Sequence, residues 1–188
     1  MLPTDPAGRH RVVAADFGRL VGGTSDWEAP SPVAEWDARG VVEHLTTWFC
    51  DFVHAGSPYG WVQRHDARTS PAEAWDEQTT AVQLILDDDA QASSPFTHPR
   101  LPPCTLAEAV DRFYTADVFM HSWDLARATG QELDLDPEYA TQLLTGMQQM
   151  EGVLRSSGQY GPARPVRPDA PAGERLAAFI GRDPDWRA

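Results

Sequence analysis

Apolar positions recur at helical spacing along almost the whole chain. Between Arg9 and Val21, the residues Val13, Phe17, Leu20 and Val21 fall three and four apart, which predicts one face of a helix stopped by Gly22-Gly23. After a proline-bearing connector, Glu28 to Pro32, Trp36 and Asp37 read as the residue before a cap and the cap itself. The next helix turns Val41, Leu45, Trp48, Phe49 and Phe52 inward and ends near Gly56. A polar stretch with Tyr59, Trp61, Arg64 and His65, Ser57 to Thr69, reads as a loop. Ser70-Pro71-Ala72-Glu73 reads as a capping box with proline at the first helical position; its helix carries the stripe Trp75, Thr79, Val82 and Leu86. Asp87-Asp88-Asp89 oppose the macrodipole at the C-terminal end, so that helix should fray or stop there.

Ser93 to Cys104 contains four prolines and reads as a second loop. Thr105-Leu106-Ala107-Glu108 is another capping box, opening a long helix that Gly130 should stop. Asp136-Pro137 starts a fifth helix, with Leu143, Leu144, Met147, Val153 and Leu154 apolar and Gly158 at its end. A strap rich in proline and arginine, Gly161 to Pro171, precedes a short helix with Leu176, Phe179 and Ile180. No strand-like alternation persists. The predicted architecture is all-α: a four-helix bundle with an additional helix and a C-terminal strap plus short helix, in a single domain over residues 1–188.

Composition narrows the function classes. Fifteen Lys+Arg against 28 Asp+Glu give a net charge of −13, which repels phosphate backbones and disfavours nucleic-acid binding. Two cysteines, Cys50 and Cys104, exclude a disulfide framework and a four-cysteine zinc cluster. The first residues lack the pattern of a signal peptide, and no apolar run approaches the roughly 20 residues of a membrane span. A cytoplasmic protein with no membrane partner, monomeric or homodimeric, is expected.

The chemistry lies on the long helix. With Asp117 at zero on a period of about 100° per residue, Leu106, Val110, Phe113, Tyr114, Met120, His121, Asp124 and Ala128 share its face. A carboxylate and an imidazole at i and i+4 thus interrupt a face that should enter the core, one above the other. A metal ion would offset the cost of burying that carboxylate. His44 shares the inward face of Val41 and Trp48 and can supply a third ligand. Two imidazoles and one carboxylate leave coordination positions open, as in catalytic sites; zinc suits the set, and non-haem Fe(II) triads use it too. A plain hydrogen-bonded Asp117–His121 pair is the competing reading. Asp124 is placed in an ion pair with Arg127, Cys50 points away from His44, and Cys104 is a filler before a cap. His54, His65, His98 and the Asp87–Asp89 run are assigned to solvent.

The run Asp117-Val-Phe-Met-His121-Ser-Trp-Asp-Leu-Ala-Arg-Ala-Thr-Gly130 resembles the signature of the DinB/YfiT-like metal-binding superfamily, in its actinobacterial mycothiol-dependent maleylpyruvate isomerase-like branch. Trp36 to Leu45 is similar to that group's first ligand helix, and Ala170 to Trp186 is similar to the tail of one of its subgroups. The resemblance implies a DinB-like bundle holding a divalent metal, zinc or nickel, on His44, Asp117 and His121. Position 117 departs from the isomerase, which has glutamate there, one methylene longer. It also implies a metal-dependent thiol S-transferase or thiol-assisted isomerase, with mycothiol as cosubstrate and a small electrophile as substrate. The acidic charge speaks against an anionic, maleylpyruvate-like substrate. A metal-dependent hydrolase and a non-catalytic metal- or thiol-binding module are the alternatives, and no general acid or base is assigned.

Overall fold

The computed structural model describes residues 1–99 and 101–188. The fold is all-α, apart from one two-stranded antiparallel ribbon, β1 (Pro95–Phe96) with β2 (Cys104–Thr105), inside the expected proline-rich loop. Helix α1 (Pro6–Gly23) starts at Pro6 rather than Arg9 because Asp5 caps it, accepting from the Gly8 amide at 2.7 Å. Helix α2 (Ala38–Gly56) is capped as expected by Asp37, whose carboxylate accepts from the Gly40 amide at 2.6 Å.

Helix α3 (Pro71–Asp87) has proline at its first position but no capping box: Ser70 lies at φ −141° and ψ 66°, and its hydroxyl makes no cap bond. Gln78 rather than Thr79 occupies the buried stripe. The acidic run does end the helix, and Asp88 then caps the short α4 (Asp89–Ala92), accepting from the amides of Ala90 and Gln91.

The long helix is built in three pieces. Its capping box forms as read, with the Thr105 hydroxyl accepting from the Glu108 amide and the Glu108 carboxylate accepting from the Thr105 amide. After α5 (Leu106–Ala109) comes a π-helical segment, Val110–Thr115, and then α6 (Ala116–Thr129), closed by Gly130 at φ +65°. Helix α1 packs on α3 and α6, and α2 packs on the same two, so the four rods close a ring with α1 and α2 diagonal.

The expected fifth helix is broken at Met150 into α7 (Pro137–Gln149) and α8 (Glu151–Ser156), and Val153 is exposed rather than internal. Helix α9 (Ala172–Phe179) packs on both α7 and α6, burying Leu176 and Phe179. Phe119 of α6 meets Tyr139 of α7 edge to face. With the bundle on one side and this outer layer on the other, α6 is enclosed nearly all round. Among the described residues no helix is long and apolar enough to cross a membrane.

Candidate metal centre

Helix α6 has little solvent to offer its polar side chains, so each must find a partner inside the protein. Asp117 and His121, one turn apart, point towards α2, where packing of the two helices delivers His44. His44 Nε2 lies 2.9 Å from Asp117 Oδ2, and His121 Nε2 lies 3.5 Å from Asp117 Oδ1. One ligand atom from each of the three residues lies within 4.8 Å of the others. Side-chain exposure falls from 31% at His44 to 15% at Asp117 and 8% at His121, so the cluster opens on the His44 side.

Aromatic rings wall it. Trp36 lies 5.7 Å from the His121 ring in a stacked arrangement and 5.0 Å from the His44 ring. The connector that delivers it bonds the Ser31 amide to the Trp36 carbonyl at 2.9 Å, and the preceding Glu35 takes a left-handed backbone, φ 67°. Trp48 donates its indole N–H to Asp117 Oδ2 at 3.2 Å.

Burial alone would raise the pKa of Asp117. The His121 charge, together with the hydrogen bond and charge of His44, outweighs it and holds the carboxyl below the usual aspartate value. Tyr160, just before the strap, has its hydroxyl pushed up to about 12 by burial and by the charge of Asp117, with Arg182 opposing. It is therefore a neutral O–H near a carboxylate at ordinary pH.

On the far side of His121 stands a partner that the expected pairing of Asp124 did not include. Asp124 is not paired with Arg127; it is fully buried, its Oδ2 sits 2.8 Å from His121 Nδ1, and Arg182 grips it with two nitrogens at 2.9 Å. Burial again raises this carboxyl, but the His121 hydrogen bond and the Arg182 charge outweigh it and the pKa lies low. Arg127 instead lies over the Trp123 ring and 3.7 Å from Glu174. The position of Asp124 on the inward face was the available signal. Its partner was not legible, because Arg182 arrives from 58 residues away.

The remaining candidates lie elsewhere. Cys50 Sγ donates to the Trp61 carbonyl at 2.7 Å, Cys104 belongs to β2, and His54 is exposed. His65 pairs with Glu77 at 3.0 Å, and His98 packs on Phe52.

The donor chemistry fits a divalent cation. Two imidazole nitrogens and a carboxylate face one another, with Nε2 of each histidine turned to the shared centre. The other nitrogen of His121 is held by a carboxylate, as in many metal-bound histidines. The arrangement can hold a metal ion; the geometry does not choose among metals.

Two uncharacterized proteins from two strains of Mycobacterium tuberculosis, MT0763 and Rv0738, are each 28% identical to this chain over 194 residues, covering 95% of it and 98% of their own length. No protein-family model matches the chain, and no solved structure matches it significantly.

Proposed function

We propose that this protein holds a divalent metal ion on His44, Asp117 and His121, zinc in the first place and nickel or iron as alternatives. We further propose that it acts as a metal-dependent thiol S-transferase or thiol-assisted isomerase, in the manner of the DinB-like proteins its signature resembles. The convergence of the three ligand atoms within 4.8 Å, between two helices and at the edge of the core, carries the metal reading. The signature resemblance supports the thiol chemistry and mycothiol as cosubstrate, in a cytoplasmic setting.

A divalent ion supplies charge that favours a thiolate over a thiol at neutral pH. The chain's own residues do the rest. Trp48 keeps Asp117 oriented by its indole N–H, and Trp36 shields the His121 ring from water. The partly exposed His44 side is where a thiol and a small electrophile enter.

Elemental analysis of untagged protein, as purified and after chelation and reloading, tests the metal. The expected result is about one equivalent of zinc or nickel, lost in both His44→Ala and His121→Ala. Full retention by both variants overturns the ligand set. Conjugation of an electrophile that requires added mycothiol supports the transferase reading, and turnover without a thiol replaces it with a hydrolase. An Asp117→Ala variant altered only in melting temperature, with no turnover in the parent, replaces it with a binding module.

A further inference from the structure

The C-terminal segment reaches the proposed centre through one side chain, and its path there is tightly determined. Helix α9 ends in a Schellman motif: the Gly181 amide donates to the Ala178 carbonyl at 3.1 Å, and the Arg182 amide donates to Ala177 at 2.9 Å. Gly181 sits at φ +99°, and a β-carbon there would lie 2.9 Å from the Gly161 Cα, so strap and helix end meet backbone to backbone. Arg155 ties the two together, donating to the carbonyls of Gly161 and Phe179. Arg182 is thereby aimed inward, and its side chain is only 13% exposed.

Its target is unusual in the fold. Asp124 is 0% exposed, and its two oxygens are shared between a bidentate guanidinium and His121 Nδ1. A carboxylate held by a guanidinium accepts and does not donate, so His121 carries a hydrogen on Nδ1. In the neutral ring, that leaves the Nε2 lone pair facing Asp117 and His44. Without the guanidinium, Asp124 would be a buried, uncompensated charge with nothing on its far side to hold its oxygens on His121 Nδ1.

Resting on the metal reading above, we infer that Arg182 is a positioning residue of the metal centre: through Asp124 it fixes His121 as the Nδ1–H tautomer with Nε2 free to coordinate, so that docking of the C-terminal segment and metal binding are thermodynamically linked. By that linkage, whatever the docked segment adds to metal affinity, the metal returns to docking.

The test uses the full chain and zinc alone. In the metal-free wild type, at a pH where the ring is neutral, long-range nitrogen–proton spectra of His121 show a single Nδ1–H tautomer. In Arg182→Met that preference is lost, and zinc affinity measured against a chromophoric chelator falls about 10–100-fold. Arg182→Lys keeps the charge but not the fork, and falls between the two. Zinc raises amide-exchange protection of residues 172–182 in the wild type but not in Arg182→Met. Should Arg182→Met not fold, Asp124→Asn and Arg182→Lys carry the same readings. Wild-type zinc affinity with an unchanged tautomer in these variants overturns the inference, as does zinc binding that leaves the tail's exchange unaltered. A wild type that binds none of zinc, nickel and iron overturns the metal reading and the linkage together. A tautomer that still depends on Arg182 in that protein upholds the positioning role alone.

Discussion

Two histidines are buried among the described residues, and they illustrate opposite uses of the same side chain. His10, on α1, has no exposed surface; its Nδ1 lies 3.0 Å from the Thr115 hydroxyl, and its Nε2 has no partner among the described residues. Burial first, and the charge of Arg11 second, lower its pKa to about 4, so it sits in the core as a neutral ring. His121, nearly as deep, stands between two carboxylates held 2.8 and 3.5 Å from its nitrogens. Depth alone therefore does not mark a functional histidine here. What separates the two is whether the neighbours are built to use both nitrogens.

The comparison can be broken from either side. The largest effect is expected from Asp124→Ala, which strands the Arg182 guanidinium beside His121. Loss of one partner of a buried pair costs about 3–5 kcal/mol, read by urea denaturation. An effect under about 1 kcal/mol would mean that Arg182 simply swings to solvent. Acid comes next. Between pH 6.5 and about 4 the unfolded chain protonates His10 while the folded chain does not, so stability falls with pH across that window, by at most about 3 kcal/mol. His10→Gln should flatten that slope. Asp117 and Asp124 act lower: their depressed values stabilise the fold above the ordinary aspartate pKa near 3.8, and that contribution is lost as pH falls through their folded values. Two separate acid transitions in the wild type, with only the upper one missing in His10→Gln, would sharpen the contrast.

Smaller effects follow. Thr115→Val removes the hydroxyl partner of His10, with a cost of about 2 kcal/mol read by thermal denaturation and no change in metal content. Trp48→Phe removes one donor from Asp117 and should cost about 1 kcal/mol while weakening metal retention under chelator challenge. If the Thr115 variant loses metal and the Trp48 variant keeps it, the two regions have been assigned the wrong way round.

Particular residues show why some of this was legible in the sequence and some was not. Local rules worked where the chain decides locally: Asp37 caps α2, Thr105 and Glu108 close a box, and Gly130 ends α6. The same rule failed at Ser70, whose backbone ψ of 66° lies well short of the extended values of the caps that work, Asp5 and Asp37. The pairing of Asp117 with His121 survived because both lie after the π segment, where helical phase is regular. His44 could be placed because Val41, Leu45 and Phe49 leave its neighbourhood little freedom. Asp124 went astray for an energetic reason. The nearby Arg127 offered only a surface pair of small worth, whereas Arg182 offers a buried fork, and no periodicity in the chain carries that contact.

The π segment from Val110 to Thr115 has a genetic consequence. A π turn amounts to one extra residue within an α-helix. Losing a single codon there would let the helix relax to regular geometry, with its cap at Thr105 and its stop at Gly130 both intact. Because the extra residue is absorbed within its own turn, everything beyond the deletion would keep its direction, and Asp117 and His121 would still face His44. A codon lost between Asp117 and His121, where the helix is regular, would instead turn His121 by about 100° relative to Asp117 and take the centre apart. Three nucleotides are dispensable in one turn of this helix and decisive in the next.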